Sequence, residues 1–420
     1  MGGGDITLGI DFGTSNSAAA VLRDGAVRMI PVEGGDETLP TAFFFDYDSR
    51  ETLIGHAAGA ALIEGREGRY MRALKRVLGT PLMHEPRQLL NERLTFVEII
   101  GRFLGRLRAA AEAELGQPVT RVLSGRPVHF HEADAARDDA AEADLRAAYE
   151  AAGFGQVDFL PEPEAAAIAG GPPERGLGLV VDIGGGTSDF SLYEAGEGGV
   201  RTLVSHGLRI GGTDFDRALS FELVMPHLGR GGMLRREMGE GLLEAPTALF
   251  AELATWEKIP FLYSPQTLRM VRDMKGLAVE PRPFARLEEV LVSELGHDIA
   301  FAVEAGKIAA NGRERRGSAD LGVIEPGLQV AIEEMALAAI LAPFAERIRA
   351  GAMETLQMAG ASPGDVARVT YVGGSSLLGQ VKGAMQAALP EAEHVFSEVF
   401  TAVAAGLAME SAARGRGRGP

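Results

Sequence analysis

VVDIGGGTSDFSL, residues 180–192, decides how this chain is read. An apolar run ends in Asp182, three glycines follow, then Thr187, a second acid at Asp189, and a fresh apolar alternation. Consecutive glycines are costly to order, so they mark a place where backbone must come close to something. The segment reads as a strand, a tight turn and a returning strand.

The same design occurs earlier. Residues 6–22, ITLGIDFGTSNSAAAVL, run as an apolar strand to Asp11, then Gly13, Thr14 and Ser15, then alternation again. Counting from Asp11 to Asp182, the two copies lie 171 positions apart. Each continues as a strand, and the first then meets Asp24-Gly25, a good hairpin turn. The chain contains neither a G-x-G-x-x-G opening a helix nor a G-x-x-x-x-G-K-[ST]. Rossmann and P-loop sites are thereby excluded.

Two such tips suit phosphate. Backbone N–H groups in a Gly/Thr/Ser turn make a concave donor site, and the hydroxyls add donors without charge. An aspartate at each strand end would repel phosphate directly, so a cation must stand between them. Two carboxylates plus phosphate oxygens is an ordinary Mg²⁺ environment. The expectation is a nucleotide held between two hairpins, one from each half of a duplicated fold.

Composition bounds the alternatives. The 420 residues suffice for two or more domains, with 46% apolar and 24% charged residues. A net charge of −17 argues against nucleic acid as the main ligand. The chain has no cysteine, which excludes disulfides, thiolate chemistry and Cys-bound zinc. The start, MGGGDITLGI, lacks the pattern of a signal peptide, and the longest apolar run, Met335–Ala345, is too short for a bilayer. A soluble cytoplasmic protein without membrane contact is expected.

Along the chain, residues 26–60 alternate as short strands, 92–116 carry a helical stripe from Phe96 to Leu107, and Val119–Phe130 looks like a strand. A helix follows over Glu132–Ala152, a strand at Val157–Leu160, and a short helix ending at Gly170-Gly171. Strand character runs from Leu203 to Ile210. Residues 214–312 look mainly helical, strand patterns return over Leu321–Ile332, and a helix covers Ala336–Gly360. The strand Val369–Val372, the turn at Gly373–Ser376 and a last helix near 399–412 complete an alternating α/β chain in two halves. Trp256 and the methionines of 225–274 are expected to fill a helical core.

Only five lysines occur, Lys75, Lys258, Lys275, Lys307 and Lys382, against 36 arginines. A lysine kept in so arginine-rich a chain hints that a compact, flexible point charge is wanted. From pattern alone, Lys75 in RYMRALKRVLG still reads as part of a solvated basic helix face, and Glu162 between two prolines as a loop acid. His129 and His131, two apart on the expected strand, would share a face as a metal pair, but no H-E-x-x-H accompanies them.

GIDFGTSNS, VVDIGGGTSDFSL, RIGGTDFD and YVGGSS, in that order, resemble the nucleotide-binding domain of the seventy-kilodalton heat-shock chaperones (DnaK-like). SGRPVHF, LPEPEAAAIAGG, the VLGT after Lys75 and EAGKIAAN resemble the short YegD-like branch of that family. The resemblance implies an actin-like ATPase fold of ribonuclease-H-like duplicated domains, two lobes with a nucleotide cleft. Lobe I would span 1–190 with an insertion at about 35–115. Lobe II would span 191–398 with a helical insertion at about 217–310, before a helix at 399–413 and an Arg-Gly tail at 414–420.

The resemblance also implies roles, for ATP/ADP and Mg²⁺ as cofactors. Asp11 and Asp182 would hold Mg²⁺ largely through water, and Gly13, Thr14 and Ser15 would contact the phosphates. Lys75 would reach the γ-phosphate and the attacking water, with Glu162, Asp182 and Thr187 completing the catalytic set. Gly184, Gly185, Gly186 and Thr187 would wrap the β/γ-phosphates. Gly211, Gly212, Glu304, Lys307, Gly373, Gly374 and Ser375 would serve the nucleotide too, the last five of these at its adenosine end. Pro127 falls where the family has a proline linked to interlobe signalling. Ile308, Asn311 and Leu377 replace residues the family uses around the base, which leaves base identity open.

The function so implied is slow Mg-dependent ATP hydrolysis, a chaperone-like switch expected to lack its own peptide-binding domain, with a protein client or co-chaperone as partner. The alternatives are a sugar or small-molecule kinase and a non-hydrolysing actin-like scaffold. The three arginines of the tail read as a bland terminus rather than an RNA-binding repeat.

Overall fold

A computed structural model of the chain describes residues 6–131, 134–173, 175–196, 199–236, 238–312, 315–396 and 401–417. The chain forms two compact units. The first comprises Met1–Leu208, Ala350–Leu377 and Met385–Pro420, the second Arg209–Arg349 and Leu378–Ala384. The expected first residues of the 132–152 and 399–412 helices, and the tip of the tail, lie outside the described residues.

The first unit holds two sheets. One contains β1 (Thr7–Phe12), β2 (Asn16–Arg23), β3 (Ala26–Met29), β4 (Thr38–Pro40), β5 (Arg121–Arg126) and β6 (Gln156–Pro161), in the order β6-β5-β1-β2-β3 with β4 also on β2. The other contains β7 (Leu177–Ile183), β8 (Ser188–Gly196), β9 (Gly199–Leu208), β10 (Val366–Val372) and β11 (Glu393–Val395), in the order β9-β8-β7-β10-β11. Both sheets repeat one plan. Three strands meander antiparallel, then two more add in parallel beside the first. The duplication visible in the two hairpins therefore extends to whole sheets.

Parallel neighbours need crossovers, and helices supply them. α1 (Phe96–Leu115) precedes β5, α2 (Ala135–Ala151) joins β5 to β6, and α3 (Glu162–Gly170) follows β6. α1 begins where the Thr95 side chain and Glu98 cap each other, and ends at left-handed Gly116. Its stripe Phe96, Ile99, Ile100, Phe103, Leu104 and Leu107 is buried as the spacing predicts. Phe103 meets Phe12 of β1 edge-on at 5.8 Å. On the other face of this sheet, Ala18 and Ala20 pack on Ala404 and Ala408 of the helix Ala402–Gly417. A Cβ on Gly9 would stand 2.7 Å from the Ala408 nitrogen, so glycine lets that helix close.

With both faces covered, the interiors of β1 and β7 are buried almost throughout. Among their inner positions, Asp11 and Asp182 are the exceptions, one near the end of each strand.

Two expectations need correction. β5 stops at Arg126 rather than running to Phe130, because Pro127 has no N–H to give the sheet. Arg126 instead folds its guanidinium onto the Pro127 and Val128 carbonyls. In the second unit, the strand signal at Leu321–Ile332 resolves into Arg316–Asp320 paired with Gln329–Glu333, with a turn through Gly327 between them.

The rest of the second unit is mainly helical, including α4 (Gly212–Leu219) and α5 (Gly296–Asn311). A small hairpin, Met233–Arg235 with Leu242–Glu244, interrupts it. Met225 and Met274 are buried, whereas Met233, Met238 and Met270 are exposed, so the methionines fill the core only in part. Trp256 packs against His297 and Phe301.

Candidate functional site

The site is built at the ends of β1 and β7. The first tip turns tightly at Gly13, where a Cβ would overlap the Asn16 carbonyl, and Ser15 O accepts from Thr41 N. The second tip closes with Gly184 N donating to Thr187 O at 3.0 Å, and Thr187 Oγ1 donates to Asp189 Oδ2 at 3.0 Å. The tips face each other: a Cβ on Gly185 would stand 2.6 Å from Ser15 Oγ. Gly373, left-handed with φ 76°, brings its turn against the end of β7, 3.0 Å from Asp182 Oδ1 measured at its would-be Cβ. Gly374 and Ser375 continue that turn.

Lys75 stands on a short 3-10 turn, Leu74–Val77, not on a basic helix face. Its Nζ donates to Glu162 Oε1 at 2.6 Å, and both side chains are largely covered, 11% and 15% exposed. Glu162 opens α3 directly after β6, and Gly125 on β5 leaves room for its stem. The loop acid and the surface lysine of the pattern reading are thus one recessed ion pair.

The recess carries more negative than positive charge. Burial, then the Glu162 carboxylate, pushes Asp11 up to about 7 against the pull of Lys75. Asp182 is pushed well above the usual carboxylate range by burial, then by Asp189, Glu162 and Asp11. Burial works against the Lys75 ammonium, but Glu162, Asp11 and Asp182 outweigh it and hold its pKa above the ordinary value. Such a set calls for a further cation. All the donors are carboxylate oxygens, which suits a hard divalent ion such as Mg²⁺. Among the described residues no group of three or more His, Asp or Glu is arranged to hold a metal by itself. A cation here would complete its shell with water and ligand oxygens.

A cavity of about 60 Å³ is lined by Glu162 and Asp182 together with Pro127, His129, Ser191 and His206. That is room for a few waters. His129 and His131 do not share a strand face, because residues 127–131 are not a strand. His129 lines this cavity, while His131 turns to the Leu78 carbonyl.

The remaining residues belong to the second unit. Gly211 precedes α4, its N–H bonded to Asp214, and Gly212 opens the helix. Lys307, on α5, is buried and pairs with Asp216 at 2.7 Å, while Glu304 and Ile308 of the same helix are exposed. Asn311 Oδ1 accepts from Gly379 N at 2.9 Å. Sequence reasoning missed Arg76, whose guanidinium occupies the space a Gly186 Cβ would need. The only available signal was its place next to Lys75.

Comparison with known proteins bears on this geometry. The sequence model of the family described as Hsp70 protein matches residues 7–228, just over half of the chain. This chain belongs to the Hsp70 family. It has that family's actin-like ATPase fold, with the doubled sheet order described above. Proteins named Chaperone protein DnaK from Thermotoga petrophila and Thermotoga maritima are each 34% identical to it over 220 residues. That stretch covers 51% of this chain and 35% of each relative, so the match spans about a third of the relatives' length. No helix among the described residues is long and apolar enough to cross a membrane.

Proposed function

We propose that this Hsp70-family chain binds ATP with Mg²⁺ and hydrolyses it slowly, as a chaperone-like nucleotide switch in the cytoplasm. The observation that carries this reading is the Lys75–Glu162 pair, set among Asp11, Asp182 and two facing glycine-rich tips. N–H groups of Gly13–Ser15 and Gly185–Thr187 donate to phosphate oxygens, and the glycines of both tips let the backbone approach them. Asp11 and Asp182 would hold Mg²⁺, which would supply neutralisation of the phosphate charge. Lys75 places its ammonium at the transferring phosphoryl group, and Glu162 orients the attacking water and accepts from it. Asp182 and Thr187 complete the positioning. Catalysis here is placement plus electrostatics, as phosphoryl transfer requires.

Gly211, Gly212, Glu304, Lys307, Gly373, Gly374 and Ser375 are proposed for the rest of the nucleotide. Exposed Ile308 gives the base an aliphatic neighbour rather than a cation. Nucleotide state would be read by a protein client or a co-chaperone-like partner.

The test is phosphate release from Mg-ATP by the wild type, Lys75→Ala and Asp182→Asn, with nucleotide affinity measured alongside. Slow release, lost in both variants while Lys75→Ala still binds nucleotide, supports the switch. Tight binding without release points to a scaffold, and phosphate transferred to a sugar rather than to water points to a kinase. No binding sinks the site assignment.

A further inference from the structure

We infer that His131 and Asp144 are positioning residues for Lys75, clamping the backbone just beyond its turn onto α2 and the segment before it. The inference rests on the ATPase reading for its function but not for its geometry.

The turn that carries Lys75 is bracketed by two left-handed residues, Ala73 at φ 59° and Gly79 at φ 73°. Alanine pays a steric penalty there, because its Cβ crowds the following carbonyl oxygen. A turn so strained keeps its shape only when its surroundings over-determine it. Three contacts do so. His131 Nε2 meets Leu78 O at 2.8 Å, and since a carbonyl only accepts, that ring nitrogen carries the proton. Gly79 N donates to Asp144 Oδ2 at 2.8 Å. The other oxygen of Asp144 meets His84 Nε2 at 2.8 Å, and the aspartate is buried on α2. A side chain at position 79 would overlap the Arg137 carbonyl and press on His131, so Gly79 is seated directly on α2.

The clamp is itself held. His131 N donates to Asp138 Oδ1 at 3.1 Å, and Asp138 pairs with Arg126 at 3.0 Å. Neither histidine nor aspartate is needed at a distance from the reaction for its charge. What they fix is backbone, three and four residues beyond Lys75. A lysine stem is long and flexible, and a displacement of about 1 Å at a reacting group can cost on the order of a hundredfold in rate.

The experiment uses the full chain with His131→Leu and Asp144→Ala, and with His131→Gln and Asp144→Asn. Glutamine can still donate to Leu78 O, and asparagine can still accept from Gly79 N. Single-turnover hydrolysis should fall about tenfold or more in the first two, with nucleotide affinity within about threefold of wild type, and should recover in the second two. A second readout needs no activity. With only five lysines, acylation by acetic anhydride can be followed for each by peptide mass. Lys75 should be protected in the wild type, labelled several-fold faster in His131→Leu and Asp144→Ala, and protected again in the Gln and Asn variants. Buried Lys307 should stay protected throughout, reporting that the second unit remains folded, and recovery in the Gln and Asn variants reports the same for the first. Unchanged labelling and turnover in His131→Leu and Asp144→Ala overturns the inference. So does a Gln or Asn variant as impaired as its apolar counterpart. If the wild type does not hydrolyse ATP but labelling follows the clamp, the positioning stands and the ATPase reading falls.

Discussion

Lys75 meets Glu162 at 2.6 Å in the first unit, and Lys307 meets Asp216 at 2.7 Å in the second. The two pairs have the same chemistry, nearly the same length and similar burial. Their surroundings differ. Lys75 faces the fields of three carboxylates, Glu162, Asp11 and Asp182, and stands on a strained four-residue turn. Lys307 sits on the inner side of a regular 16-residue helix. An ion pair with an excess of one charge around it is poised for a ligand. A pair closed on a regular element fixes packing. The resemblance assigns both lysines to nucleotide, and the contrast separates what each loss should do.

The largest effect is expected for Lys75→Ala. Removing one preorganised charge from a phosphoryl-transfer site should lower hydrolysis by roughly 10²–10³-fold, by analogy with deleting an oxyanion donor. Thermal stability at neutral pH should fall as well, because Glu162 loses its partner and the carboxylates left behind can stay neutral only by binding protons they do not bind when unfolded. Turnover within a few-fold of wild type would place Lys75 with the structural pairs.

Lys307→Ala should also cost stability, but turnover should fall far less than in Lys75→Ala. It strands a mostly covered Asp216, and breaking a buried pair costs about 3–5 kcal/mol. Denaturant unfolding should show the loss, and Lys307→Ala combined with Asp216→Ala should recover part of it. A turnover loss equal to that of Lys75→Ala would erase the distinction.

Much of this was legible in sequence, and the limit is physical. Strand-Asp-turn-strand is local chemistry, so both hairpins and their acids could be read directly. Helix α1 declared itself through its stripe. What sequence could not supply were pairings over distance: Lys75 with Glu162 across 87 positions, and Lys307 with Asp216 across 91. Periodicity reports which face of an element is apolar, not which element lies opposite. The segment 127–131 misled for a related reason. Its alternation suits a strand, but Pro127 and the Arg126 side chain withdraw the backbone groups a strand would use. The histidines then point to different places.

The acidic recess sharpens the comparison through pH. A carboxyl whose pKa is raised on folding binds more protons in the native state than in the unfolded one. Stability is then lost as pH rises through the window between the two values, here from 3.8 to about 7 for Asp11. Above that window the unfavourable charge is fully present, and a divalent cation would relieve it. The gain in melting temperature on adding Mg²⁺ should therefore be larger at pH 8 than at pH 5. Asp11→Asn should reduce the gain and its pH dependence. Equal gains at both pH values would mean that these acids do not meet the ion.

The smallest effect comes from the glycines of the second tip, and it isolates the ligand from the protein. A Cβ on Gly186 must displace the Arg76 guanidinium, and one on Gly185 must displace Ser15 Oγ. Both are flexible side-chain ends, so these variants mix a protein adjustment with any effect on nucleotide. Gly184 is different. A Cβ there meets only the Thr187 carbonyl, at an ordinary 3.7 Å, and the residue is not left-handed. The protein itself has room for Gly184→Ala, so its melting temperature should match the wild type. If phosphate packs against this backbone, the added methyl intrudes on the ligand alone. The expected cost is about 1 kcal/mol, at the low end of overpacking, or roughly a fivefold weaker nucleotide affinity. Unchanged affinity would mean that the phosphates approach Gly185 and Gly186 but leave Gly184 clear.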